Sequence, residues 1–288
     1  MRLRSLFIAT AVVALTACAS ETPAPAPESG WVMDLRDGAA AHVQPVVEAL
    51  AWRYDDDEGK PATDIWISAV ALSPAQREQL LPARSGQSSD EARQPETLGL
   101  AGLLVRVDDR GNGSRQMLSF CLPEGSGVKC SGGSGLGMAL VRRFDAQSIA
   151  GTFYTRDREG RLYAASFDAP LRDESSQPLP TDVQWSTDGG AAGKAWLADN
   201  QAARDGHVAI LKTYAMPERA ADYDQESTVK FAQRMALRKP TILSARIEGD
   251  HAFLWVRDSV AEQLSPGVIR VEMRLVDTVW RVYGVQLN

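Results

Sequence analysis

The 288-residue chain is poor in the residues that usually announce chemistry: it has three cysteines, three histidines and 7% aromatic side chains. Each shortage excludes something. A structural metal site needs several Cys or His ligands at short spacings. None of His42, His207 or His251 lies near Cys121 or Cys130 in sequence, so no metal is expected. No GxSxG elbow occurs, which leaves a serine-hydrolase reading without a nucleophile. The glycine-rich run Ser131–Met138 lacks both the GK[ST] ending of a phosphate loop and the spacing of a dinucleotide fingerprint. It reads as a hairpin connection, and no cofactor is expected. Asp55–Lys60 fails as a calcium loop because Lys60 takes the sixth position and Trp66 the twelfth. Asp108–Gly113 fails likewise, with Arg110 where a ligand should stand. Excess positive charge is missing too: the formal charge is −6, with no basic arm or stripe, which excludes nucleic acid as an expected partner. Long hydrophobic runs are absent, since the apolar run Leu6–Leu15 falls well short of the roughly 20 residues that span a bilayer as a helix.

What is present begins at the N-terminus. Met1–Ala17 has a basic start with Arg2 and Arg4, a short apolar core and small residues before Cys18, the three parts of an export signal. Leu15-Thr16-Ala17-Cys18 closely resembles the lipobox of bacterial lipoproteins. That resemblance implies cleavage before Cys18, acylation of its sulfur and of the new amine, and a membrane contact made through lipid. Each buried methylene adds about 0.8 kcal/mol, so several acyl chains hold a soluble body on a membrane almost permanently. In such lipoproteins an aspartate after the cysteine often signals inner-membrane retention; Ala19 stands there, which implies an outer-membrane protein facing the periplasm. Residues 18–30, with the alternating prolines of Thr22–Ser29, read as an extended tether. Loss of the presequence removes two positive charges and leaves the mature chain more acidic.

An exported bacterial protein meets an oxidising compartment, so Cys121 and Cys130 are expected to form a disulfide. Closing a loop of about ten residues is worth roughly 2.5–3 kcal/mol on the chain-entropy account.

Along the rest of the chain the pattern divides. In residues 31–171, short apolar runs are broken by turns: Ile65–Leu72, Leu98–Val107, Gln116–Leu122, Gly137–Phe144, and a hairpin over Ser148–Asp168. This predicts an antiparallel, sandwich-like β domain. Ser73-Pro74 opens a short capped helical turn. Val43–Tyr54 fits either a helix or a strand. Gly86–Glu96 reads as a surface loop, and residues 172–193, with Pro178, Pro180 and Gly189-Gly190, as an interdomain linker. Residues 194–288 predict helices over Lys194–Arg204, Val208–Tyr214 and Gln225–Arg238. The first buries Trp196 and Leu197 and stops at Gly206; the third places Val229, Ala232 and Met235-Ala236 on its inner face before Pro240. Four strands follow; in the third, Ile269, Val271, Met273 and Leu275 alternate with Arg270, Glu272 and Arg274, as in a sheet with one buried face. The fold class expected is α+β.

This order of elements, with Gly206 after the first helix and the terminal strand Trp280–Val285, is similar to the cone-shaped domains of the nuclear transport factor two and SnoaL-like superfamily. The resemblance implies three helices on a curved antiparallel sheet, enclosing either a pocket or a filled core. It carries no catalytic motif, and fold alone decides no chemistry.

Two groups of residues are candidates for function. His251 would serve as a pocket base if Asp222 or Asp224 came within reach. Phe253 and Trp255 share its strand face, away from the small and aliphatic residues suited to packing beneath helices. They are expected to contact the N-terminal domain, a second copy of the chain, a foreign partner or a ligand. The preferred function is a non-catalytic binding or assembly module on the envelope. A small-molecule enzyme using His251 and an acid, and a purely structural envelope protein, are the alternatives.

Overall fold

The computed structural model describes residues 31–37, 40–56, 58–80, 97–111, 118–124, 127–133, 137–156, 162–258 and 268–287. The export signal, Cys18, the tether and the loop Gly86–Glu96 lie outside them.

The fold is α+β, as expected, and the elements run along the chain in two groups. The first comprises β1 (Trp31–Asp37), β2 (Ala40–Val46), β3 (Glu48–Asp55), β4 (Pro61–Ser68), α1 (Pro74–Leu80), β5 (Gly102–Asp108), β6 (Leu118–Glu124), β7 (Gly127–Gly133), β8 (Gly137–Phe144), β9 (Ser148–Arg156) and β10 (Leu162–Asp173). Val43–Tyr54 is strand throughout, apart from the break at Val47 between β2 and β3. Two different clusters claim the two faces of β3: Ala49 and Ala51 turn to one, Leu50, Trp52 and Tyr54 to the other. A strand buried on both faces has no polar alternation to betray it.

The prediction of a purely antiparallel arrangement needs correction. The nine-residue stretch Leu162–Pro170 of β10 pairs antiparallel with β9, but Leu171–Asp173 runs parallel to Ala51–Arg53 of β3. Six strands thus form a curled mixed sheet in the order β10-β3-β4-β5-β6-β7, while the first part of β10 continues into β9 and β8 on one side and β1 and β2 on the other. Being long enough to serve two ladders, β10 ties them together. Between them lie Ile65 and Ile67 of β4, Leu103, Val105 and Val107 of β5, Ile149 and Phe153 of β9, and Ala165, Phe167 and Ala169 of β10. The outer face of β3-β4-β5 carries a second cluster, Trp52, Trp66, Leu72, Leu80, Leu100 and Cys121. Helix α1 contributes Leu80 to this cover and starts with a reciprocal cap: Ser73 N–H donates to Gln76 Oε1 (2.9 Å) and Gln76 N–H to Ser73 Oγ (3.3 Å).

The second group is β11 (Val183–Ser186), α2 (Gly190–Asp205), α3 (Val208–Tyr214), a 3-10 helix over Pro217–Asp224, α4 (Glu226–Met235), β12 (Pro240–Glu248), β13 (His251–Asp258), β14 (Val268–Val276) and β15 (Val279–Leu287). Strand β11 and the start of α2 occupy part of the stretch read as linker; β11 joins the second sheet, whose order is β11-β12-β13-β14-β15, antiparallel throughout. Trp196 and Ala192 of α2 pack onto Ala252, Leu254, Val256, Val271 and Met273, with Trp280 and Val282 at the margin. Gly206 ends α2 at φ 71°, a left-handed stop that lets His207 N–H reach the Ala202 carbonyl at 2.9 Å. Leu197 and Met235, expected on inner faces, are exposed. Asn200 is buried instead: its side chain accepts from Leu237 N–H (2.8 Å) and donates to Leu237 O (2.9 Å), latching the exit of α4 to α2.

A buried guanidinium fixes the chain between the groups. Arg53, with no exposed side-chain surface, donates to both oxygens of Asp109 at 2.7 Å, to Asp173 at 3.0 and 3.1 Å, and to Gln177 O at 2.5 Å. Asp55 accepts from Ser175 and Ser176, and those bonds hold its carboxyl below the ordinary aspartate pKa. The polar stretch after β10 is therefore pinned to the β3–β4 end of the first sheet rather than hanging free.

Candidate functional site

The aromatic pair on β13 stands where the two sheets meet. Trp255 is 6% exposed and packs with Leu140 of β8 and Val268 of β14, with Phe253, Met138 and Leu243 around them. Polar contacts flank this patch. Ser244 Oγ donates to the Val141 carbonyl, Arg246 Nη1 to the Arg110 carbonyl (2.5 Å), and Arg110 pairs with Glu248 at 2.7 Å. Gly111 adopts φ 66° beneath Trp185, where a Cβ would come within 2.4 Å of the indole. Among the contacts foreseen for Phe253 and Trp255, the structure places the N-terminal strands. Phe253 also lies under the guanidinium groups of Arg246 (4.6 Å) and Arg270 (5.7 Å). Burial at this junction draws the Arg246 guanidinium down from its ordinary pKa, against the opposing charge of Glu248.

His251 begins the same strand face. The carboxylates within 4 Å of its ring are Asp250 (3.6 Å) and Glu272 (3.9 Å), both beyond hydrogen-bond range. Asp222 and Asp224 belong to the 3-10 helix in the helical layer, and Asp224 is paired with Lys212 at 2.5 Å. Because Ala252, Leu254 and Val256 point to that layer and His251, Phe253 and Trp255 away from it, the sheet stands between the histidine and the two acids. The anticipated His/Asp constellation is not assembled.

The helical layer holds a carboxyl that the sequence reading passed over. Asp199 lies on α2, three residues after the core residue Trp196, and therefore on the inward side. It keeps part of its surface, yet protein atoms crowd it enough that burial pushes its pKa up to about 7. No hydrogen bond or ion pair to its carboxyl exists among the described residues. Tyr223 of the 3-10 helix is also raised, by burial first and then by the charge of Asp199. The signal available in sequence was spacing: an aspartate three residues beyond Trp196 shares its side of the helix.

Cys121 and Cys130 face one another across β6 and β7 and are bonded. No group of three or more His, Cys, Asp or Glu able to hold a metal occurs among the described residues, and no helix among them is long and apolar enough to cross a membrane.

The chain matches no family model, no curated protein and no solved structure. Its surfaces must therefore speak for it. Among the described residues, α4 buries none of its own and carries two large exposed apolar side chains. Phe231 is 57% and Met235 52% exposed, one helical turn apart. A concavity of about 500 Å³ opens along the adjoining face of α4, where its lining among the described residues is Ser227, Lys230, Gln233 and Arg234.

Proposed function

We propose that this chain is a lipid-anchored lipoprotein of the bacterial envelope, on the outer membrane and facing the periplasm, whose body is a non-catalytic binding or assembly module. The observation that carries the reading is Leu15-Thr16-Ala17-Cys18 behind a basic start and a short apolar core. The bonded pair Cys121–Cys130 supports it, because such bonds persist in oxidising compartments. In this reading the first unit is a β-sandwich, and the second is a cone-shaped domain of the nuclear transport factor two type. Trp196, Leu254, Val256, Val271 and Met273 occupy the space between its helices and sheet, which favours a working surface over a substrate chamber. A homodimer or foreign protein would then use a surface other than the Trp255 face of β13, since Trp255 is already taken up by the contact with β8. Mass spectrometry of the mature N-terminus tests the anchor. The expected species begins at acylated Cys18, and Cys18→Ala moves the protein from the membrane fraction; a mature chain that still carries Met1–Ala17 and no lipid overturns the reading.

Asp199 favours a second reading, an enzyme on a small molecule. A carboxyl that exchanges its proton near neutral pH is fitted to general acid or base work. A compound that raises the melting temperature of the parent chain but not of Asp199→Asn would support it, and a screen in which every hit acts equally on both would sink it.

A further inference from the structure

We propose that the outward face of α4 is a second membrane contact, a site for an anionic phospholipid surface; it rests on the reading of the chain as tethered to a membrane. Helix α4 carries two kinds of exposed residue on one side. Phe231 and Met235 form an apolar pair, and Lys230 and Arg234 a cationic pair at the same one-turn spacing. The cations continue past the helix end: Arg238 is exposed, and Arg204 at the end of α2 donates to the Arg238 carbonyl at 2.8 Å. The acids at this end are fewer than the cations, and each has a partner: Asp205 accepts from the Gln201 amide at 2.7 Å. Glu226 pairs with Lys230 at 2.6 Å, and Asp258 accepts the backbone amides of Arg238 and Lys239 at 2.8 and 3.1 Å. In a chain with 37 acidic and 31 basic residues, a surface that sets a bare aromatic and a thioether side chain beside more cations than acids, with Arg234 and Arg238 next to the paired Lys230, is out of keeping with the whole.

That combination matches the chemistry of the interface between headgroups and acyl chains. Apolar side chains enter the boundary, and Lys or Arg beside them meet anionic headgroups. An acidic soluble partner would meet the same pair of chemistries, but the proposed lipid attachment already holds the body beside a bilayer, so the bilayer is the nearer surface. The tether permits the contact: twelve residues separate Cys18 from Trp31, and a proline-rich chain at about 3.1 Å per residue reaches roughly 40 Å.

The test uses the full chain purified from membranes, with Ser227→Cys on α4 bearing an environment-sensitive fluorophore. It is mixed with vesicles of phosphatidylcholine alone or with phosphatidylglycerol added; the unsubstituted chain, labelled in the same way, gives the background. The emission is expected to shift to the blue with the anionic vesicles and stay unshifted with the neutral ones. Arg234→Gln should lower the ratio of bound to free α4 about fivefold, and Phe231→Ala about tenfold. Both residues are exposed, so neither change threatens the fold. Flotation with the neutral vesicles reads the acyl anchor separately, so a chain that floats without a shift overturns the α4 contact while leaving the anchor intact. A chain that does not float but shifts with anionic vesicles upholds the contact and removes the anchor. Equal shifts with both vesicle types, no shift with either, or a shift that grows with protein concentration in the absence of lipid, as a second copy would produce, overturns the proposal.

Discussion

Arg53 in the first unit and Asp199 in the second are both ionisable groups drawn inside the fold, and the two regions treat them in opposite ways. Arg53 is wholly enclosed and fully answered: two carboxylates and a carbonyl surround it, and the bonds to Asp109 first of all hold its guanidinium above the ordinary pKa. Asp199 is less deeply placed and has no answering group among the described residues, so burial raises its pKa toward neutrality. A charge that is paired and hydrogen-bonded inside a protein holds parts together, whereas one that is unpaired costs stability unless it takes up a proton. The surroundings follow the same division. Strand β4 is buried almost end to end between two clusters, while α4 buries nothing. The first unit is built to stay fixed; the second keeps an unanswered acid and a bare helix.

The sharpest way to break this comparison is Arg53→Met. Removing the cation strands Asp109 and Asp173 and is expected to cost about 4 kcal/mol, read as a fall in the denaturation midpoint. A loss under about 1 kcal/mol would mean that the network is incidental. Trp255→Ala empties the contact between β13 and β8 and should cost about 3 kcal/mol. It should also broaden the cooperative transition, as calorimetry would show, because it removes the largest buried side chain shared by β8 and the second sheet and leaves Trp185 on the first core as a further apolar contact. Replacing Cys121 and Cys130 together by serine is expected to cost roughly 2.5 kcal/mol on the loop-entropy account; an unchanged midpoint would place the bond outside the stability of the first unit.

For Asp199 the sign is set by the direction of its shift. The folded pKa, about 7, lies above the unfolded value of 3.8, so the folded chain binds the extra proton between those limits. This contribution to stability is full below the unfolded value and is lost as pH rises through the folded one. Asp199→Asn should remove that slope: relative to the parent it gains on the order of 4 kcal/mol between pH 4 and pH 8, measured as the difference between the two chains' unfolding free energies. A constant difference across that range would return Asp199 to the ordinary class of surface acids. Phe231→Ala should have the smallest effect on stability, within about 0.5 kcal/mol, and a larger loss would show that α4 is covered after all.

Much of the element order was legible before the structure. Gly137–Phe144 is a strand with those same limits, Val208–Tyr214 is a helix, Ser148–Asp168 is a hairpin, and Gly206 is a left-handed stop. These follow from local rules: period-two and period-3.6 patterns, and a residue without a Cβ where φ must be positive. The departures occur where distant groups decide. Leu197 and Met235 satisfy helical spacing, yet helix–helix packing turns them out and turns Asn200 in. The last residues of β10 join β3 in parallel because a strand 120 residues away offers an edge, which no local pattern encodes. His251, Asp222 and Asp224 were grouped as chemistry-bearing residues, but alternation along β13 puts the histidine on the far side of the sheet.

Sequence by itself determined the α+β class and the punctuation of the chain, because each depends on neighbours or on composition, and it named Cys121 and Cys130 as the expected pair. Only the tertiary structure decided which charges are answered and which are left alone. Whether Arg53 finds Asp109 and Asp173, whether Asp199 finds a partner among the described residues, and whether Phe231 meets protein or solvent all depend on segments far apart in the chain. Electrostatic energies and burial depend on distance in space, and residue number carries no record of that distance.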